Sequence, residues 1–113
     1  MGIAQEGPDL DALVFGAPAP PDPSGWRHRL ERAVAGRRRV RLNYVDAAGQ
    51  VTDRRVRPLD VTFEAREWRL IGWCELRQDF RVFRLDRMIS VAVLRGVFPE
   101  EPGRTLVDYQ EVV

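Results

Sequence analysis

The sequence predicts a mainly β (α+β) domain, with five short strands forming a small barrel, one amphipathic helix before it and a short helix after it. Three observations predict this. The apolar spacing switches from helical to alternating at about Arg37, turn signals then recur at short intervals, and a capping motif opens a last helical stretch behind a Pro/Gly-broken segment.

The elements follow in order. Leu10, Leu13, Val14 and Phe15 form an apolar patch at roughly helical spacing, too short to be a domain but able to dock on the barrel or a partner. Gly16 to Gly25, with Pro18, Pro20, Pro21 and Pro23, has the composition of a semi-rigid linker. Asp22-Pro23 reads as an N-cap and first helical position. Trp26, Leu30, Ala33 and Val34 then recur on one helical face, opposite Arg27, His28, Glu31 and Arg32, with Gly36 as the stop. Beyond Arg37, Val40, Leu42 and Tyr44 alternate with Arg39, Arg41 and Asn43, which is the period of a half-buried strand. Asp46 and Gly49 suit a type I hairpin turn. A second strand runs from about Val51 to Arg57. Pro58 bends or ends it, near a sheet edge, because proline donates nothing to a ladder, and Leu59 to Phe63 can resume it. After a turn at Glu64–Glu67 come strands over Trp68–Cys74, Phe80–Leu85 and Ile89–Leu94, the last two bent around Asp86-Arg87. Thr105-Leu106-Val107-Asp108 has the form of a capping box opening a short helix with Tyr109 and Val112. Five short strands with tight turns suit an SH3-like or Sm-like barrel, and an open five-stranded sheet with the helix on one face is the competing layout.

The totals bound the function. A chain of 113 residues, 44% of them hydrophobic, supports one domain with a modest core, expected over residues 26–113 behind an extension and linker at 1–25. No apolar run nears the ~18 residues of a membrane span, and the first residues carry neither a basic nor an apolar leader pattern. The lone Cys74 excludes an internal disulfide and fits a reducing, cytoplasmic setting. Net charge is +1, but it is unevenly spread: residues 26–95 carry +8 between ends of −4 and −3. All eighteen cations are arginine, whose planar fork suits phosphate oxygens and base edges.

Four segments resemble WYL domains of bacterial transcriptional regulators. They are Arg55-Val56-Arg57-Pro58-Leu59, Glu67-Trp68-Arg69-Leu70-Ile71-Gly72-Trp73-Cys74, Asp79-Phe80-Arg81-Val82-Phe83-Arg84-Leu85-Asp86-Arg87-Met88, and Phe98 through Tyr109 with its Pro99, Pro102 and Gly103. The similarity spans about Trp26 to Tyr109, in order and in register. It implies an Sm-like barrel that binds a negatively charged ligand, nucleic acid or a nucleotide-type effector, coupled to a helix-turn-helix domain. Two departures stand out. Arg69 occupies the position of the tyrosine in the family's name, and no room for a helix-turn-helix is expected before Trp26.

The candidate ligand-binding residues are Arg55, Arg57, Trp68, Arg69, Arg81, Arg84 and Arg87. Arg81 shares parity with the apolar Phe83 and Leu85, so it must reach a barrel mouth or a partner, because an unpaired buried charge is costly. The bland alternative is solvated strand faces and structural ion pairs, such as Arg84 or Arg87 with Asp86 or Glu75. Arg37-Arg38-Arg39-x-Arg41 reads better as the wet side of an edge strand than as a nucleic-acid track. Trp68 and Trp73 have opposite parity, so one faces out and, if exposed, could stack a base or meet a partner. His28 is read as solvated and Cys74 as a buried thiol. Nothing has the spacing of a metal site, a catalytic triad or a phosphate loop, so no catalytic residue, metal or cofactor is expected.

The sequence thus points to a non-enzymatic regulatory sensor. It would bind a nucleotide-type effector or single-stranded nucleic acid and act through a helix-turn-helix partner or as a homodimer, away from membranes. A stand-alone Sm-like binder of single-stranded DNA or RNA is the alternative. An oligomerisation module using the Leu10–Phe15 patch and the C-terminal helix is the third reading.

Overall fold

The computed structural model describes residues 19–113, so the Leu10–Phe15 patch lies outside the described residues. Helix α1 covers Arg27–Ala35, followed by strands β1 (Val40–Val45), β2 (Val51–Glu64), β3 (Glu67–Cys74), β4 (Asp79–Arg84) and β5 (Met88–Val93), and helix α2 (Leu106–Val112). A 3-10 turn at Leu85–Arg87 joins β4 to β5. The strands form one antiparallel sheet in the order β4-β3-β2-β1-β5. The mainly β class and the two flanking helices are as expected. The ladder does not close between β4 and β5, however, so "barrel" describes this sheet only loosely.

Local chemistry explains most boundaries. α1 begins four residues later than Asp22-Pro23 suggests, because a turn with Gly25 at φ 81° intervenes. Asp22 still serves the helix: its carboxylate accepts from the amides of Ser24 (2.9 Å) and Arg27 (3.0 Å). At the other end, Arg37 takes the left-handed turn (φ 50°), one residue past Gly36. Asp46 Oδ1 accepts from the amides of Ala48 and Gln50, both at 2.9 Å, and closes the first hairpin. The second hairpin has Ala65 and Arg66 at φ 50° and 65°, where primed turns favour Asn and Gly. The Thr105–Asp108 capping box forms in both directions.

Proline neither ends the second strand nor marks a sheet edge, since β2 is the middle strand of the five. β2 runs through Pro58, and a bulge between Pro58 and Asp60 shifts the register, so that Pro58 faces Gly72 and Asp60 faces Ile71. The added residue reverses the parity. Thr52, Arg54 and Val56 point to the inner face before the bulge, and Val61 and Phe63 point there after it. Leu30 and Ala33 of α1 pack on that face against Val40, Leu42, Val56, Leu70 and Leu85. Cys74 is fully buried there, as read.

The outer face has its own cover. Trp73, the outward-pointing tryptophan, is only 9% exposed. Phe80 meets it edge-on at 5.1 Å, Tyr109 of α2 meets Phe80 at 5.6 Å, and Arg104 lies 5.1 Å over the indole. Burial of both tryptophans leaves neither as a free stacking platform, and the cover over Trp73 comes from a segment more than thirty residues downstream.

The two sheet edges differ. Along β5, Trp26 Nε1 donates to Met88 O (3.1 Å), Arg29 to Val91 O (2.9 Å), and Arg38 to Leu94 O just past the strand (2.9 Å). These bonds occupy carbonyls that would otherwise invite another strand. β4 is covered differently: Phe80 O accepts from Arg81 Nη1 (3.1 Å), Phe80 N donates to Asp79 Oδ1 (2.8 Å) and Arg84 N donates to the Tyr44 hydroxyl (3.0 Å), while Val82 between them is 41% exposed.

Gly72 permits the close approach of β3 to β2. A Cβ there would sit 2.3 Å from Val56 Cγ1 and 3.0 Å from Arg57 O, and Val56 is fully buried with nowhere to move. Gly72→Ala is therefore expected to cost about 1–3 kcal/mol through overpacking. In a urea titration the midpoint should fall with the slope unchanged.

Candidate ligand-binding site

The arginine at the centre of the structure is Arg57, 7% exposed on the outer face of β2. Its Nε donates to Glu75 Oε2 at 3.0 Å, and its Nη1 donates to Glu101 Oε1. Arg39 shares Glu75 (2.6 Å), and Arg104 shares Glu101 (3.4 Å). Burial pushes the Glu75 carboxyl up, but the hydrogen bonds from Arg39 and Arg57 outweigh it and leave the group below its ordinary value. The hydrogen bond from Arg57 also lowers Glu101. A guanidinium whose Nε and Nη1 are both committed to acids is a structural clamp, holding the segment after Phe98 against the sheet.

The remaining candidate residues are dispersed. Arg69 and Arg84 face each other across β3 and β4, with Glu67 between them at 3.0 and 3.1 Å. Arg84 also forks onto Asp86 at 3.0 and 2.7 Å, bonds that raise the arginine and lower the acid. Arg81 lies on the inner face opposite Gly72, 3.2 Å from Asp79. Arg55 is exposed on the outer face beside Arg41, Asp53, Glu75 and Leu76. Arg87 is half-buried in the 3-10 turn. Trp68 is 8% exposed, donates to Pro20 O at 3.1 Å and carries Arg27 at 4.2 Å over its ring. Two groupings emerge, Trp68 with Arg69 and Arg84 at one end of the sheet and Arg55 with Arg57 towards the other. The structure does not bring all seven residues to one opening.

Three surface features bear on binding. A cavity of about 370 Å³ next to the first grouping is lined by Trp68, Phe63, Arg66 and Arg84, but also by Asp22, Glu67 and Asp86, so its acids outnumber its cations. A groove of about 850 Å³ between α1 and β5 has the opposite character. His28, Arg29, Arg32 and Arg38 line it, with no acid among its lining residues. The third feature is Arg54, which is 7% exposed on the inner face. Sequence reasoning passed over it, although the parity argument applied to Arg81 finds it as well, because Arg54 alternates with Val56. The Arg37–Arg41 run, by contrast, is spent on structure: Arg37 and Arg38 donate to Phe98 O and Leu94 O, and Arg39 and Arg41 pair with Glu75 and Asp53.

Among the described residues no cluster of His, Cys, Asp and Glu is placed to hold a metal ion, and no helix is long and apolar enough to cross a membrane. His28 is exposed and lies 3.6 Å from Glu31.

The fold and its arginine-rich sheet define a class that comparison identifies. The family model "WYL domain" matches residues 27–93, and the chain belongs to that family. It is 30% identical over 77 residues to the uncharacterized HTH-type transcriptional regulator YobV of Bacillus subtilis (strain 168), covering 68% of this chain and 25% of that protein. It also resembles the structure of proteasome accessory factor B/C (PafBC) of Arthrobacter aurescens, with a TM-score of 0.67 and 27% identity, covering 76% of this chain and 14% of that one. This chain thus corresponds to about a quarter of the length of the regulator it matches.

The Arg57 clamp has a pH signature. Glu75 and Glu101 both lie below the ordinary carboxyl value of 4.5 in the folded state, so the unfolded chain binds more protons as the pH falls below that value. Their stabilisation is complete above it and drains away as the pH falls through the depressed values. Arg57→Met should lower stability at neutral pH and flatten this acid limb, as followed by urea midpoints from pH 6 to pH 3. An unchanged acid limb would remove Arg57 from the explanation.

Proposed function

We propose that this chain is a regulatory, ligand-sensing module of the WYL type that binds an anionic nucleotide or nucleic-acid ligand and acts on transcription through a helix-turn-helix partner or as a dimer. The observation that carries the reading is the α1–β5 groove, where three arginines and a histidine converge with no lining acid. Arg29 commits one group to Val91 O of β5 and Arg38 one to Leu94 O just past it, and both keep their remaining N–H groups for the groove. Arg32 pairs with no acid among the described residues. Such forks suit phosphate oxygens, which they grip two at a time. Family membership supports the regulatory role, and the relative named as a helix-turn-helix regulator supports the choice of partner. Regulation, rather than catalysis, is the activity proposed. The cytoplasm, where Cys74 stays reduced, is the proposed setting.

The residues singled out from sequence take second place in this proposal. Arg55 and Arg87 form no ion pair with any described residue and remain the candidates among them. Arg57, Arg69, Arg81 and Arg84 would each have to give up an acid first. For Trp68, Arg27 would have to leave the ring. A dimer would meet at β4, around the exposed Val82.

Melting curves with mono- and dinucleotides and with single-stranded oligonucleotides, each at two salt concentrations, test the proposal. Arg32→Ala disturbs no capped carbonyl, and it should weaken oligonucleotide binding several-fold and reduce the salt slope by about 1. Saturation by a mononucleotide with little salt dependence would mark a small-effector sensor, whereas affinity growing with strand length would mark a single-strand binder. If no nucleotide or oligonucleotide shifts melting, the sensor reading fails and a structural module is left.

A further inference from the structure

Two arginines are buried equally in this sheet, and they are treated oppositely. Arg57 and Arg54 are each 7% exposed. Arg57 meets two carboxylates. Arg54 meets none within 4.0 Å among the described residues, and its two hydrogen bonds go to weak or neutral acceptors: Nε to Thr52 Oγ1 at 3.1 Å and Nη1 to Cys74 Sγ at 3.7 Å. The Phe83 ring lies 5.9 Å from its guanidinium carbon, near the limit of a useful cation–π contact. Nη2 hydrogen-bonds to nothing among the described residues.

A desolvated charge without a counter-ion is expensive, and a hydrophobe of similar volume at such a position is often neutral or stabilising. The strand itself offers one: Val56, two residues on, occupies the same face as ordinary core. Seventeen acids in the chain leave ample material for a partner, as the Arg57 clamp shows. Packing alone does not account for an arginine here.

We propose that Arg54 is the grip of a site for one compact oxyanion, an inorganic phosphate or the terminal phosphate of a monoester. The free Nη edge would supply parallel N–H donors to two of its oxygens. Size follows from burial. With Thr52 and Cys74 holding the other side of the fork and only 7% of the residue exposed, the tip would suit a small tetrahedral head group better than a flat base or a duplex backbone. At the rim, Asp79 lies opposite Cys74 and Arg81 opposite Gly72, on the same face. Arg81 is 43% exposed in its side chain and, among the described residues, is held by Asp79 at 3.2 Å and Phe80 O at 3.1 Å, so it could turn from its acid to an entering anion. The site is distinct from the α1–β5 groove, which Arg54 does not line.

The test uses the full chain, wild type and Arg54→Met, melted with inorganic phosphate against chloride at matched ionic strength. Wild type should gain several degrees at saturating phosphate. Arg54→Met should melt at or above wild type without phosphate and lose most of the gain with it, whereas Arg77→Ala, in an exposed turn, should keep the full phosphate gain. A nucleoside 5′-monophosphate set beside its nucleoside separates the sources: equal gains with phosphate and monophosphate indicate a free anion, and a gain with the monophosphate alone indicates a nucleotide terminus. The proposal is overturned if phosphate acts no better than chloride and the monophosphate no better than its nucleoside, or if Arg54→Met keeps the wild-type gain. Should the methionine variant fail to fold, the ¹⁵N resonance of Arg54 Nε in wild type decides, because a saturable shift with phosphate or the monophosphate supports the site and an unmoved signal removes it.

Discussion

The bonds made by the Arg57 guanidinium constrain much of the rest of the molecule. Arg57 points from β2 into a layer that neither α1 nor the inner core supplies, and its charge survives there because Glu75 and Glu101 arrive from 18 and 44 residues along the chain. Bringing Glu101 in places the C-terminal segment over the outer face. Phe98 then lies 5.7 Å under the guanidinium, and the stack of Trp73, Phe80 and Tyr109 closes next to it. A sheet this small has apolar side chains on both faces, and only one helix is long enough to cover a face. The ion-paired clamp provides the second cover. The outer-face aromatics are therefore packing.

Eighteen arginines in 113 residues would suggest a uniformly basic surface, but the folded chain sorts them into different tasks. Some neutralise acids across strands, as Arg41 does with Asp53 and Arg69 and Arg84 do with Glu67. Others act as neutral-looking plugs on backbone carbonyls, as Arg29, Arg37 and Arg38 do. The planar fork suits both roles, since it can bond a carbonyl with one edge and keep its charge hydrated with another. What remains without an acid or carbonyl partner among the described residues is a much smaller set.

Much of the architecture was legible because local chemistry dictated it. The alternation of Val40, Leu42 and Tyr44 fixed the facing of β1, Asp46 made its turn, and Thr105 with Asp108 capped the last helix. Pro58 was correctly seen as a disturbance, but whether a proline ends a strand or bulges it depends on the neighbouring strand, here Gly72, which no local pattern reveals. The arginine pairings were illegible for the same reason at longer range: Arg57 finds its acids only after the sheet and the C-terminal segment have assembled. Arg54 was within reach. The parity that marked Arg81 as inward-facing marks Arg54 too, and the dense Arg54-Arg55-x-Arg57 spelling hid the one member on the core side.

The covering of the two sheet edges limits how copies of this chain can assemble. A protein with two bare edges can add neighbours head to tail without end, because each addition exposes a fresh strand for the next. Here Trp26, Arg29 and Arg38 occupy carbonyls along and just past β5, while Asp79, Arg81 and Tyr44 occupy backbone groups towards the two ends of β4. Both edges of this sheet therefore resist hydrogen-bonded growth into a fibre.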